Sequence, residues 1–205
     1  MQASLENGEL EHAQQSKGIS MERARRCKEA LPSDIEARDD SIEAQLGREN
    51  SSGKSKLVKV YQLLADFSDA SEPFVACSKG CSACCKMNVD ITSIEAERLS
   101  AASGKRMASV RAPLRRSTDE FSGVPCPFLV GDVCSVYEAR PYACRAHQSF
   151  DTDAFWCQPE RSNSVELTRL RLDGARSAYS AIAGNTQLHG FADIRDFFPE
   201  SANRE

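Results

Sequence analysis

The chain is organised around one stretch, Cys77-Ser78-Lys79-Gly80-Cys81-Ser82-Ala83-Cys84-Cys85, which holds four of its nine cysteines. Thiolates are soft ligands, and a C-x3-C-x2-C-C spacing lets a tight loop turn several sulfurs toward one point, as zinc or an iron–sulfur cluster requires. Gly80 supplies the backbone freedom that such a loop needs. The alternative interpretation is a set of small buried apolar residues without metal.

The neighbouring residues Cys84 and Cys85 have α-carbons about 3.8 Å apart, and their side chains are expected to diverge. They therefore serve two different metals or two corners of one cluster. From Cys77 to Cys157 the chain holds eight cysteines, the number that two four-sulfur sites need. The same eight could instead hold one [4Fe–4S] cluster with four ligands to spare, or a zinc site beside a cluster. The ninth, Cys27, lies far away among charged residues and is predicted to be a free thiol.

The composition predicts one domain whose apolar core is modest. The chain has 205 residues, of which 40% are hydrophobic and only 7% aromatic. Burial of apolar surface is then expected to need help from metal–thiolate bonds. The sequence contains neither a signal peptide nor an apolar stretch that could span a membrane, so we expect a cytoplasmic protein with no membrane partner. In that reducing compartment, nine cysteines indicate metal or redox chemistry rather than disulfides.

The first 53 residues differ in composition from the rest. Residues 1–53 hold 11 acidic and 7 basic residues, whereas the remaining residues are balanced in charge. This segment is predicted to be a mostly disordered acidic tail, with residues 54–205 forming the cysteine-cluster domain. A helix opening at Ser33 and running to Gly47 is expected to be marginal, since its apolar stripe is thin. The balanced charge of the rest, in a chain whose overall pI is near 5.5, gives no case for general nucleic-acid binding.

Local patterns around the cysteines predict short elements. Helical spacing of apolar residues indicates a helix from Ser55 to Asp69, and a capping box at Thr92 opens another that Gly104 stops. Leu129 and Val130 are predicted to pair with Cys134 and Val133 across a Gly-Asp turn.

After the hairpin, a third capping box is predicted at Ser135, with Cys144 on the loop beyond Pro141. A packing helix is predicted over 164–183, and the aromatic piece 191–198 is expected to cap the core. The predicted fold class is mainly α, with irregular cysteine-rich loops and at most one short β-hairpin, a small domain nucleated by metal.

Three blocks of sequence resemble a known family. They are Cys-Ser-Lys-Gly-Cys-Ser-Ala-Cys-Cys (77–85) with Val-Asp-Ile-Thr-Ser-Ile-Glu-Ala (89–96), Cys-Pro-Phe-Leu…Cys-Ser-Val-Tyr (126–137), and Arg-Pro-Tyr-Ala-Cys-Arg (140–145). Together they are similar to the YkgJ-like cysteine-cluster proteins of the CxxCxxCC type, which are described as zinc- or iron-chelating domains. The resemblance implies that eight cysteines form a zinc or iron centre, in which an iron–sulfur cluster is one option: Cys77, Cys81, Cys84, Cys85, Cys126, Cys134, Cys144 and Cys157. The family tolerates two or three residues in the first gap, and this chain has three.

Two arginines flank Cys144 and are candidates for contacting the bound metal group. Arg140 and Arg145 could favour thiolate over thiol or donate to cluster sulfurs, and the alternative is an ordinary ion pair or a carbonyl clamp. His147 could replace a cysteine at a zinc site, although a surface position is favoured.

An enzymatic role stays open from the sequence. The C-x3-C-x2-C spacing also occurs in radical S-adenosylmethionine enzymes, but the chain lacks their strand–helix alternation. A related cluster occurs in flagellin lysine N-methylases, which are larger, so the alternative function is an iron–sulfur-dependent protein-modifying enzyme or accessory factor. The favoured function is metal chelation by the cysteine cluster; no protein partner is indicated.

Overall fold

A computed structural model describes residues 7–117, 120–184 and 190–199. Seven helices and four short strands make up this described part. The helices are α1 (Asn7–Ala30), α2 (Ser33–Arg48), α3 (Gly53–Ser71), α4 (Ser93–Ser103), α5 (Tyr142–Ala146), α6 (Asp173–Gly184) and α7 (Ile194–Phe197). The strands are β1 (Asp90–Thr92), β2 (Leu129–Val130), β3 (Val133–Cys134) and β4 (Phe191–Asp193). The fold is mainly helical with cysteine-bearing loops, which confirms the predicted class.

The helices before and after the first cysteine loop (residues 77–85), α3 and α4, form as predicted. α3 buries the five apolar residues that recur at helical spacing: Leu57, Val60, Tyr61, Leu64 and Phe67. α4 starts with a complete capping box, in which the Thr92 hydroxyl accepts from the Glu95 N–H and the Glu95 carboxylate accepts from the Thr92 N–H. It ends at Gly104, whose φ of 72° is the left-handed conformation that glycine adopts without strain. Local capping therefore sets the boundaries of α4.

Two antiparallel strand pairs bring distant parts of the chain together. β2 and β3 form the predicted hairpin, with Leu129 opposite Cys134 and Val130 opposite Val133. Gly131 and Asp132 both have positive φ, as a two-residue turn of this kind requires. The sequence did not predict the second pair, in which β1 and β4 lie side by side over 90–92 and 191–193. That pair anchors the C-terminal segment next to the first cysteine loop.

The N-terminal 53 residues differ from the predicted disordered tail. α1 and α2 occupy most of this segment, and the thin apolar stripe of α2 (Ile35, Ile42, Leu46) is buried against α3 and α6. α1 contacts the region around Cys157 through hydrogen bonds such as Ser16 Oγ to Asp151 Oδ1 at 2.6 Å. Narrow stripes cannot stabilise isolated helices, but here the partners that complete the core come from distant parts of the chain.

α6 is shorter than the predicted helix over 164–183. It begins at Asp173 because Asp39 of α2 caps it, accepting from the N–H groups of Gly174 at 3.2 Å and Ala175 at 2.7 Å. The preceding residues run as an irregular chain in which Leu167 packs beside Trp156. The apolar residues before Asp173, whose spacing suggested a longer helix, therefore pack against the core from a non-helical segment.

The described C-terminal residues complete the main core, as the sequence predicted. Ile194, Phe197 and Phe198 are at most 2% exposed and pack against residues of α4 and the segment 126–144. The Phe128 and Phe198 rings meet edge to face with centroids 4.8 Å apart. These aromatic contacts close one side of the space in which the cysteines lie.

Candidate metal centre

Most of the clustered cysteines share one cavity. Its volume is about 240 Å³, and its walls include apolar side chains such as Val89, Leu99 and Phe128. Seven cysteines line it: Cys77, Cys81, Cys84, Cys85, Cys126, Cys134 and Cys144. The structure thus gathers cysteines from three separate segments of the chain (77–85, 126–134 and α5) around one space.

The first cysteine loop is shaped by two short turns. Gly80 has a φ of 102°, and the Cys81 N–H donates to the Ser78 carbonyl at 3.0 Å. A single 3-10 turn over Ala83–Lys86 then carries both vicinal cysteines, with the Cys85 N–H donating to the Ser82 carbonyl. These turns fold the loop back on itself, so that its four cysteines all reach the cavity.

In the vicinal pair Cys84 and Cys85, the thiol of Cys85 has a lowered pKa. A hydrogen bond with Cys84, followed by the nearby cations Arg140, Arg195 and Lys86, lowers the pKa of Cys85 to about 7 despite its burial. The same hydrogen bond, followed by burial, raises the pKa of Cys84. The two sulfurs therefore lie close together in this structure rather than diverging.

The second cysteine loop, residues 126–134, is joined to the first by a backbone hydrogen bond. The Cys126 N–H donates to the Cys85 carbonyl at 2.7 Å, and the Leu129 N–H donates to the Cys126 carbonyl at 2.9 Å. This turn ends the strand pairing at Leu129, so Cys126 lies outside the hairpin. The alternation of side chains between the two faces of a strand, which would put Cys126 and Cys134 on opposite faces, therefore does not apply. Burial raises the pKa of Cys126 to about 11, with smaller contributions from Cys85 and Cys134, which shows that these thiols are neighbours.

Cys144 lies on α5 rather than on the predicted loop. Pro141 precedes the helix and is extended, and the Tyr142 N–H at the helix start donates to Glu95 Oε1 at 2.7 Å. The expected cap at Ser135 is also absent, because its hydroxyl donates to the Phe128 carbonyl at 3.0 Å and the short turn starts at Tyr137. A distant carboxylate thus holds the N-terminus of the helix that carries Cys144.

Cys157 is set apart from the other seven cysteines. It is 5% exposed, lies at the end of a 3-10 turn over Phe155–Cys157, and packs with Cys81, Ala83 and Trp156 rather than on the cavity wall. Burial raises its pKa to about 11, and the thiols of Cys77 and Cys81 contribute to that rise.

The cysteines therefore form two neighbouring groups. Cys126, Cys134 and Cys144 pack against one apolar cluster and interact electrostatically with Cys85. Cys77, Cys81 and Cys157 form the other group. Cys84 lines the same cavity as members of both groups, and the thiols of Cys144 and Cys77 both contribute to the rise in its pKa.

The two candidate arginines have different roles. Arg140 lies near the thiols, where its charge helps to lower the pKa of Cys85 and opposes the rise that burial causes in the pKa of Cys77 and Cys144. Its guanidinium lies 3.6 Å from the centroid of the Tyr137 ring. Arg145 donates to the backbone carbonyls of Glu138 and Arg140 and lies over the Tyr61 ring. It forms the carbonyl clamp that the sequence left as an alternative.

His147 and Cys27 are both more buried than the sequence suggested. Nε2 of His147 is buried on the cavity side and lacks a hydrogen-bond partner among the described residues, and burial lowers the pKa of this imidazole to about 4. Cys27 is fully buried beside Ala24 and Phe150, away from the other cysteines. Like the other eight cysteines it forms no disulfide, and it lies in the core rather than among exposed charged residues.

The cysteine sulfurs suit a soft metal in their chemistry, and seven of them line one cavity. Sulfur ligands suit zinc, iron and iron–sulfur clusters. Within residues 7–117, 120–184 and 190–199, no three His, Cys, Asp or Glu side chains are already arranged around one point as metal ligands. Since a cysteine sulfur moves by rotation about a single side-chain torsion, ligation would require rotamer changes within the same cavity.

Sequence reasoning missed two polar residues that shape the site, Glu95 and Arg195. The capping box indicated one hydrogen-bonding role of Glu95, but its contact with α5 is 47 residues away in sequence. Arg195 lies 110 residues from Cys85 and donates to its carbonyl at 3.4 Å. No local motif marks such long-range contacts.

A comparison with protein-family models matches residues 76–162 to CxxCxxCC, described as "Putative zinc- or iron-chelating domain". The match begins after α3, ends before α6 and includes all eight clustered cysteines. No curated protein and no solved structure matches the chain. Among the described residues, no helix has the length and apolar character to cross a membrane.

Proposed function

We propose that this protein binds two or more zinc or iron ions in one thiolate centre, because residues 76–162 match the model of the CxxCxxCC family. The observation that carries the proposal is the cavity lined by seven cysteines from three separate segments of the chain. The proposed ligands are Cys77, Cys81, Cys84, Cys85, Cys126, Cys134, Cys144 and Cys157. Cys157 is included because its thiol interacts with Cys77 and Cys81 at the edge of the cavity.

The size of the cavity supports more than one ion. Four thiolates around one zinc lie about 2.3 Å from it and enclose little space. The cavity of about 240 Å³ is far larger, and it has donors on several sides. The division of the thiols into two groups, with the pKa of Cys84 raised by thiols of both, supports two adjoining metals or one polynuclear cluster.

Charge supports the same conclusion. Eight thiolates in one apolar region would repel one another strongly, and one divalent ion offsets only part of that charge. Arg140 and Arg195 contribute positive charge near Cys85. When bound, the metal would supply the remaining charge compensation and crosslink the loops, while the arginines favour the thiolate form.

Metal analysis of protein purified without oxygen tests this proposal. We expect at least two zinc or iron ions per chain, with broad visible absorption if the centre is iron–sulfur and no colour if it is zinc. Cys85→Ser should lower the metal content, and Cys27→Ser is the matched control that should leave it unchanged. A wild-type chain that binds fewer than two ions would contradict the proposal. Because a thiolate centre needs reduced cysteines, we also propose that the protein works in the cytoplasm.

A further inference from the structure

Asp193 lies outside the matched family domain and is fully buried beside the first cysteine loop. Its Oδ2 accepts from the Val89 N–H at 2.7 Å, and its Oδ1 accepts from the Arg195 N–H at 2.9 Å. The Arg195 guanidinium also donates to this carboxylate, with Nη1 3.0 Å from Oδ1. The carboxylate therefore fixes the arginine side chain in one orientation.

The other end of the Arg195 guanidinium reaches the two cysteine loops. Nη2 donates to the Cys85 carbonyl at 3.4 Å and to the Val124 carbonyl. The Cys85 carbonyl also accepts from the Cys126 N–H at 2.7 Å. Its oxygen therefore accepts two hydrogen bonds, one from Arg195 and one from Cys126. One side chain thus joins the backbone of Cys85 to the chain two residues before Cys126.

Only an arginine can make this arrangement. Its planar fork presents several N–H donors in fixed directions, so it can bind the carboxylate and two carbonyls at once. A lysine would keep the positive charge but could not span the same partners. Arg195 is 8% exposed, and its guanidinium lies 5.1 Å from the centroid of the Phe121 ring.

From these contacts, and on the basis of the proposed metal centre, we infer that Arg195 is a positioning residue for that centre. Held by Asp193, it fixes the Cys85 backbone against the Cys126 loop so that the two sulfurs can share a metal. The functional centre therefore extends beyond the family domain into the C-terminal segment. Loss of a hydrogen-bonded residue behind metal ligands typically costs roughly 10- to 100-fold in metal affinity.

Cobalt(II) loading of the full chain tests the inference, because the visible absorption of thiolate-bound cobalt reports how many sulfurs hold it. The variants are Arg195→Lys and Arg195→Gln. Arg116→Gln is the matched control: Arg116 binds Asp196 of the same segment at 2.6 Å and lies near the Phe121 ring, but it does not reach the cysteine carbonyls. Metal affinity is measured by competition with a chromophoric chelator.

We expect both Arg195 variants to lose roughly 10- to 100-fold in cobalt affinity and part of the thiolate absorption per bound ion, as loss of an outer contact predicts. The control should match wild type. Unchanged affinity and absorption in Arg195→Lys would overturn the inference while leaving the metal centre intact. Failure of wild type to bind cobalt, together with the absence of zinc and iron from the protein as purified, would instead overturn the proposed function. If neither Arg195 variant folds, Asp193→Asn decides by the same two measurements, because it releases the arginine without removing it.

Discussion

Replacing Glu95 tests how the helices are joined to the cysteine region. The Glu95 carboxylate is 1% exposed and accepts five hydrogen bonds. Oε1 accepts from the Tyr61 hydroxyl and the Tyr142 N–H, both at 2.7 Å. Oε2 accepts from the Thr92 N–H, the Thr92 hydroxyl and the Tyr179 hydroxyl. One side chain therefore connects α3, α4, α5 and α6.

The geometry gives the expected magnitude. In Glu95→Ala the hydroxyl groups can rotate toward other partners, but the backbone N–H groups of Thr92 and Tyr142 cannot. Each buried donor left unpaired costs about 1–3 kcal/mol, so the variant should lose about 2–6 kcal/mol of unfolding free energy. In Glu95→Gln either amide orientation turns its NH₂ group toward one of those two N–H groups, so a loss of about 1–3 kcal/mol is expected.

Urea unfolding followed by circular dichroism measures these losses. Glu97→Gln is the matched control on the same helix, because Glu97 forms an exposed ion pair with Lys54 at 2.6 Å. That change should alter the unfolding free energy by less than about 1 kcal/mol. If Glu95→Ala is as stable as the control, the carboxylate does not join these helices and the reasoning is refuted.

Three further changes test other parts of the fold. Asp39→Ala should cost about 0.5–2 kcal/mol of unfolding free energy in urea, because it removes the cap of α6, whereas exposed Asp40→Ala should cost little. Cys27→Ser should lower stability by about 1–3 kcal/mol, because it buries a hydroxyl among apolar groups, yet metal content measured by elemental analysis should not change. Deletion of residues 1–53 should expose Leu63 and the α6 face and reduce the yield of monomer in size-exclusion chromatography. A deletion variant that is as monomeric and as stable as the full chain would instead support the prediction that residues 1–53 are a mostly disordered tail.

Much of the fold was predictable where neighbouring residues decide it. The capping box at Thr92, the stop at Gly104 and the Gly131-Asp132 turn depend on backbone preferences within a few residues. The helix around Val60 was predictable because its apolar residues recur with the helical period. These elements bracket the cysteine loops, so the general location of the site could also be predicted.

The remaining structure depends on partners that are distant in sequence. α2 has only a thin apolar stripe, and its burial requires α6, whose own start is set by Asp39 of α2. Pairing of the two helices therefore could not be inferred from either segment alone. The contacts of Arg195 with the cysteine loops are likewise visible only once β4 lies beside β1. Long-range contacts of this kind leave no periodic pattern in a single sequence.

The most direct test of the metal centre is native mass spectrometry of the full chain purified without oxygen. The mass difference between native and acid-denatured protein counts the bound ions and any inorganic sulfide. We predict a difference equal to at least two zinc or iron ions, and a smaller one in both Cys84→Ser and Cys85→Ser. A native mass equal to that of the bare chain or of the chain with a single ion, or a mass difference that both variants retain in full, would contradict the proposed centre.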